Sequence, residues 1–577
     1  SAVDGYTVAA LSTAGATPAT PIVLDPGRFE WVNTGMPIIA GDSVVMIEDT
    51  SQTTDGRLKI FKSLTQGENV RAVGEDVMAG QILAVDGDPV TPALVSLLLC
   101  AGVAEAAVRA RPRTLFIPTG DEIVDAKSWF KEDGIPAGLV VDSNSAFAEA
   151  IFRQWGYEID VHPILPDDPE RIREAIKDAA SRYDVVLVSA GSAKGKRDHT
   201  AEIFTDIGKM LFRAVRMKPG RPVMAANVAD TPVICTPGFP MSCAVVLWSV
   251  VYPLLTALSE EPADDSLSKS MGSAETVRAR FMIQHSSPAG VAEWLRLKIA
   301  LVDGALLAWP LTAGASVLWA LAESDGIALL GEEVLECEKG TPVKLRLTKK
   351  VDLPNRLLFQ GSDDPAIQLL ISLMRKRGVD LAIRAVGSMG GLAALGRGEA
   401  HFAAAHLMDP ADGSYNTSYI EKFASGRSWR RQLVFYRSQG IIVARGNPKN
   451  ITTFEDLTRG VVFENRQPGA GTRVLLDFML KSAGLTPEDV KGYERRSITH
   501  LEAANKVASG VADATLGIKA AADALGLDFI PIAQEPYELV FAENFDEHPA
   551  AKALAGAIAS EEWRAKVERM GGYAWLA

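Results

Sequence analysis

The sequence is poor in the residues that hold metals and disulfides. It has 4 cysteines and 7 histidines among 577 residues. Cys100, Cys235, Cys243 and Cys337 show no metal-type spacing, and no histidines form a ligand pair at helical spacing. A disulfide framework and a structural zinc site are therefore excluded as organising devices, and buried thiols in a reducing compartment are expected. Positive charge is also in deficit. A formal net charge of −13 repels polyanions, which argues against a general nucleic-acid surface and leaves only local basic patches. No helix-turn-helix or basic reading helix is visible, and no aromatic stripe accompanies a basic one. There is no secretory leader, and the longest apolar candidate, Val245–Leu258, is short for a membrane span and reads as a buried helix. The cytoplasm is the expected location. Low-complexity segments and short internal repeats are absent as well.

What remains is ordinary globular material. Apolar residues make up 47% and charged residues 23%. The length implies roughly three to five domains. Residues 1–106 are rich in Gly, Val, Asp and Thr, with short alternating runs such as Asp42–Glu48, and read as small β-structure with turns. Residues 107–258 alternate short apolar runs with helical stretches, which implies a parallel sheet with helices on both faces. Ligands of such sheets sit beyond the carboxyl ends of the strands, where the polar loops after Ile117 and Val188 lie. Residues 272–350 return to β patterning and read as a compact barrel. From 352 to 577 a new α/β unit follows, with two lobes and a crossover near 437–447 that would enclose a cleft. The fold class is multidomain α/β.

Candidate chemistry sits in the loops. Asp4, Asp76, Glu122 and Asp198 lie beside glycine or in loops, where carboxylates can converge on a hard cation or form plain turns. Ser189, Gly191 and Gly195 belong to a small-residue loop after a buried strand, followed by Lys196 and Arg197. Such a loop suits a phosphate, or is a solvated charged loop. Lys218 offers a point charge and Arg221 a planar donor fork around Pro219. In the last region, Ser362, Ser388, Gly471 and Thr472 occupy Gly-flanked loops and Arg466 precedes one. These can hold a tetrahedral oxyanion, or simply begin helices.

The order of the motifs carries a resemblance. Ser1-Ala-Val-Asp-Gly-Tyr6, Asn33-Thr-Gly-Met-Pro37, Gly67-Glu-Asn-Val-Arg71, Gly74-Glu-Asp76, Pro118-Thr-Gly-Asp-Glu122, Ser189-Ala-Gly191, Lys218-Pro-Gly-Arg-Pro222 and Pro237-Gly-Phe-Pro240 resemble the MoeA/gephyrin-E family of molybdopterin molybdenumtransferases. The resemblance covers residues 1 to about 350 and implies insertion of molybdate or tungstate into adenylylated molybdopterin, with Mg²⁺ and release of AMP. It implies catalytic roles for Asp4, Asp76, Glu122, Asp198 and Lys218, with Glu122 and Asp198 on the metal. It implies cofactor binding by Thr34, Gly120, Asp121, Ser189, Gly191, Gly195, Pro219, Arg221, Gly238 and Ser242, and a pocket-facing position for Arg296 and Ser316. It also implies a homodimer, contact with the adenylyltransferase or a recipient molybdoenzyme, and a helical segment before the first motif. Phe239 stands where the family has Asn, and Ala190, Ser192 and Ala193 alter the Ser189–Gly195 loop. The last region resembles type 2 periplasmic-binding proteins and LysR effector domains. Its Asn465–Arg473 loop is similar to those of oxyanion carriers, with Ala470 in place of Ser. Two functions stay open: an insertase with a fused oxyanion- or cofactor-binding domain, and a non-catalytic sensor or carrier.

Overall fold

The computed structural model describes residues 1–129, 138–190, 199–260, 269–271, 275–311, 314, 316–409 and 411–575. The chain divides into two units, Ser1–Arg109 and Ala110–Ala577.

The first unit holds two small antiparallel sheets. One has strands Glu30–Val32, Gly5–Val8 and Ser43–Met46 in that order, the other Ile22–Leu24, Leu58–Ile60 and Thr50–Gln52. Alternation buries Val8, Leu24, Val45, Leu58 and Ile60 in one cluster. Gly5 is required where the strands meet, because a Cβ there would lie 1.9 Å from the Val45 carbonyl oxygen. Helix Pro92–Cys100 starts at Thr91, whose hydroxyl accepts from Leu94 N–H, and none of its residues is buried.

In the second unit, residues 114–258 form a six-stranded sheet ordered Ile159–Val161, Thr114–Pro118, Val185–Ala190, Thr231–Pro237, Met224–Val228 and Lys209–Phe212. The first four strands are parallel, and the last two join antiparallel. Helices Pro169–Ala180 and Thr200–Ile207 cover one face. Helix Ser143–Trp155 and the run Pro240–Leu258 cover the other. Asp142 and Asp168 cap the two longer helices, and Gly156 closes the first in the left-handed region at φ 76°. The Pro240–Leu258 run bears out the buried-helix reading of Val245–Leu258 and corrects its length. At 19 residues it is long and apolar enough to cross a membrane by length and composition, and 67% of it is buried inside the fold. Proline at N1 lets the helix begin five residues earlier than the apolar run suggested.

Strands Ala292–Val302, Ala305–Pro310, Thr276–Phe281, Pro342–Leu347 and Gly326–Leu330 close into a barrel, because the first also pairs with the last. Its core contains Phe281, Leu295, Leu297, Ile299 and Leu345. Residues 356–575 form a mixed sheet with two lobes. Two 14-residue strands, Arg430–Val443 and Asp528–Phe541, run antiparallel through both. Barrel and near lobe share a small core in which Met282, Ala300, Val302 and Trp309 meet Leu358 and Ala382. Arg356 fastens this junction. It donates to both carboxylate oxygens of Asp325, at 2.6 and 3.0 Å, to the Ile299 carbonyl and to Asp380.

Candidate functional site

A cavity of about 1060 Å³ opens where the sequence reading placed it, beyond the carboxyl ends of the parallel strands. Pro118, Ser189 and Pro237 lie at the carboxyl ends of three adjacent strands there. Helix Ser143–Trp155 points its N-terminus at the space, with Asp142, Ser143 and Asn144 in the wall. That end carries a partial positive charge suited to an anion. Asn144 is buried, donates to the Gly238 carbonyl at 2.8 Å, and keeps its own Oδ1 without a partner.

The opposite wall comes from Lys218–Pro222 and the barrel strand Ala292–Val302. Parallel pairing sets Lys218 beside Glu293. The Lys218 ammonium lies 3.2 Å from one Glu293 oxygen, and His285 Nε2 lies 2.8 Å from the other. Burial works to raise the Glu293 carboxyl, but His285 and Lys218 outweigh it and hold the group below the usual carboxylate range. A carboxylate with a depressed folded pKa stabilises the fold above its unfolded pKa and loses that contribution as pH falls. Glu293→Gln is therefore expected to flatten the acid limb of a melting-temperature profile below about pH 5.

Three residues further along the same strand, Arg296 is 4% exposed and faces the same cavity. Its Nε and Nη1 have no hydrogen-bond partner. Burial lowers the pKa of the guanidinium, and the charge of Glu293 partly offsets this. A buried guanidinium with unpaired nitrogens is costly unless an anion completes it. Arg221 and Ser316 also line the space. Phe239 caps the Pro240 helix and presents a ring that is 57% exposed into the cavity. It supplies a flat apolar surface where an amide was expected.

The named residues divide as follows. Glu122, Ser189, Lys218, Pro219, Arg221, Gly238 and Ser242 line the cavity. Asp121 does not, because its carboxylate accepts from Asp167 N–H at 3.1 Å outside the lining. Gly120 also stands outside the lining and turns the chain at φ 144°. In the first unit, Asp4 accepts from the backbone and hydroxyl of Thr34 at 2.6 and 2.9 Å, and these bonds lower its pKa. These bonds join segments 30 residues apart. Asp76 is exposed in a turn. Gly191, Gly195 and Asp198, with Lys194, Lys196 and Arg197, lie outside the described residues. Among the described residues no three His, Cys, Asp or Glu side chains are grouped to hold a metal. Asn144, Glu293 and His285 were not found by sequence reading. Glu293 had one signal, a carboxylate at the start of an apolar strand.

The two-lobed region holds a second polar cluster. Ser388 and Thr472 lie in the first turns of helices Gly387–Gly396 and Gly471–Ser482, and Ser362 follows strand Arg356–Gly361. All three are buried, and the Ser388 hydroxyl has no partner. Gly471 serves close packing, since a Cβ there would lie 2.3 Å from the His406 ring. Arg466 is 2% exposed and donates to the carbonyls of Ser497 and Ile498, while its Nη1 is unpaired. Burial brings its pKa down to about 10, which leaves it charged at neutral pH. Sequence reading missed five further members. Arg437 and Gln439 lie on one long strand, Glu535 on the other, His406 after strand Phe402–Ala405, and His500 at the start of helix His500–Ala508. Arg437 joins Asp364 and Glu535, and Gln439 donates to Thr472 and Glu535. Arg437 Nη2, Gln439 Oε1 and both His500 ring nitrogens are buried without partners. Polar residues inside apolar strands were the available signal.

Comparison with known proteins matches three regions of the chain. Residues 1–102 match the MoeA N-terminal region (domain I and II), residues 115–257 a probable molybdopterin binding domain, and residues 371–559 a PBP superfamily domain. The molybdopterin molybdenumtransferase 2 of Mycobacterium tuberculosis is 28% identical over 373 residues, covering 60% of this chain and 87% of that protein. The uncharacterized protein YvgK of Bacillus subtilis is 36% identical over 188 residues, which is 32% of this chain and 60% of YvgK. A solved molybdopterin biosynthesis MoeA protein from Pyrococcus horikoshii is 24% identical, with TM-score 0.45 over 61% of this chain and 87% of that one.

Proposed function

We propose that this chain, a MoeA-family protein carrying a PBP superfamily domain on the same polypeptide, inserts molybdenum into molybdopterin. The reading rests on one observation above the others. Arg296 is a buried, uncompensated cation in the wall of a large cavity at the ligand-binding edge of the sheet. Molybdate or tungstate is the substrate anion that completes it. Lys218, held in place by Glu293, supplies a second positive contact. The N-terminus of helix Ser143–Trp155 and the donors of Asn144 suit the phosphate end of an adenylylated pterin. The Phe239 ring offers a stacking surface for a flat heterocycle. Cleavage of the phosphoanhydride accompanies insertion and releases AMP.

Magnesium fits the residues in part. Mg²⁺ is commonly held by one or two carboxylates plus substrate phosphate oxygens and water. Glu122, in the cavity wall, is the described carboxylate that would hold it. When bound, the ion neutralises developing phosphate charge. Glu122→Gln is expected to lower AMP release in a purified insertion assay by about 100-fold. Unchanged AMP release would overturn that role for Glu122. Wild-type protein that binds adenylylated molybdopterin but never releases AMP would favour a carrier over an enzyme.

The PBP superfamily domain is proposed to capture the oxyanion and hold it on the same polypeptide, raising its effective concentration. A homodimer is also proposed, supported by helix Pro92–Cys100, none of whose residues is buried and whose Leu99 is 62% exposed. Leu99→Glu is expected to shift sedimentation from dimer to monomer. The adenylyltransferase and a recipient molybdoenzyme are the proposed transient partners.

A further inference from the structure

The buried cluster of the two-lobed domain contains one hydrogen-bond chain that an oxyanion site does not need for charge. Ser362 Oγ lies 2.7 Å from His406 Nε2, and His406 Nδ1 lies 3.1 Å from Glu535. An ionised carboxylate can only accept, so His406 Nδ1 carries the hydrogen and Nε2 must accept. The Ser362 hydroxyl hydrogen is then committed to His406. Ser362 Oγ then has only lone pairs left to offer a ligand. A fully ionised oxyanion such as molybdate also presents only lone pairs, so the two repel.

The groups facing His406 hold it in that state. Arg437 and Glu535 come from the long strands, Arg466 and His500 from the far lobe, and the Tyr537 ring stacks on it at 6.1 Å. Burial and the two arginines keep the imidazole below its ordinary pKa, against the pull of Glu535. Glu535 is brought down to about 2 by Arg437 and by its hydrogen bonds from His406 and Gln439, despite its burial. The resting chain is therefore neutral histidine beside ionised glutamate.

We propose that the Ser362–His406–Glu535 chain makes oxyanion capture by this domain proton-coupled. A proton taken from solvent enters on His406 Nε2. That nitrogen then donates to Ser362 Oγ, and the hydroxyl hydrogen rotates toward the anion. One proton is bound for each dianion: an N–H bond forms on His406 Nε2, hydronium or a buffer acid gives up that hydrogen, and no bond of the anion changes. The imidazolium lies between Glu535 and the ligand, so the added positive charge offsets one charge of the incoming dianion. Affinity is highest at low pH. It falls as pH rises from the pKa of His406 in the free protein to its pKa in the complex, by about tenfold per unit for one linked proton.

This inference rests on the capture reading, and one experiment separates the two. The full-length protein is titrated calorimetrically with molybdate between pH 7 and 8, in buffers of different ionisation enthalpy. The signal of this site is the part removed by Arg466→Met, a change that takes away a buried charge with no carboxylate hydrogen-bonded to it. Uptake of about one proton, with affinity falling about tenfold per pH unit, is expected. His406→Gln is expected to bind without proton uptake and with a flat pH profile. Binding by the wild type with no buffer dependence overturns the proton relay and leaves capture standing. No signal that depends on Arg466 overturns capture, and the relay with it.

Discussion

Replacing Arg296 by methionine is expected to reduce molybdenum insertion by about 100-fold or more in kcat/KM, without destabilising the protein. The two halves of this expectation come from the same atoms. Nε and Nη1 of Arg296 are buried with no partner, so the free protein carries an unsatisfied charge. Removing that charge relieves a desolvation cost, and the urea midpoint should hold or rise. The same removal takes the strongest anion contact out of the cavity. Arg296→Lys keeps charge but loses the planar fork, and intermediate activity is expected. A variant that loses stability and activity together would mark Arg296 as structural. Full activity in Arg296→Met would remove the central support for the insertion reading. Gel-free urea curves and an insertion assay on the same preparation decide between these outcomes.

The second large effect is expected at the junction between barrel and near lobe. Asp325 is fully buried and accepts from Arg356 twice, and from Ile299 N–H at 3.0 Å. Asp325→Asn leaves Arg356 buried against a neutral amide, with Asp380 as its remaining carboxylate. Breaking a buried pair from one side costs about 3 to 5 kcal/mol, and Asp380 should keep the loss near the lower bound. Denaturant unfolding measures it. The double variant Asp325→Leu with Arg356→Met removes both charges, and should recover much of the loss. If the single variant unfolds like the wild type, Asp380 carries the junction instead.

Local chemistry was legible in the sequence, and long-range pairing was not. The Lys218–Pro222 and Pro237–Pro240 segments announce themselves because Gly and Pro fix backbone geometry within a few residues, and both line the cavity. The parallel sheet was readable because its strands are short apolar runs between capped helices. The closed barrel was readable from its alternating pattern. Glu293 and Arg296 were harder to read. One is held by His285 and Lys218, the other by nothing, and only the folded register shows this. His406 and Glu535 are 129 residues apart, and no periodicity links them. The Asp4 motif is conspicuous in the sequence, but that its carboxylate accepts from Thr34, 30 residues away, is visible only in the fold. A motif reveals where a chain bends more readily than where a side chain points.

The junction core has a mechanical consequence for the cleft. Leu358 and Ala382 are built into the barrel's packing, and Arg356 is bolted to Asp325, so the near lobe travels with the barrel. Any opening of the cleft would therefore move the far lobe, about the two long strands. Ser362, Ser388 and His406 then form the fixed jaw, while Arg466, Thr472 and His500 ride on the moving one. Each opening stroke would carry the arginine charge away from the hydroxyls. The anion would feel its strongest attraction leave first, and release would be driven by geometry before any chemistry in the jaw had changed.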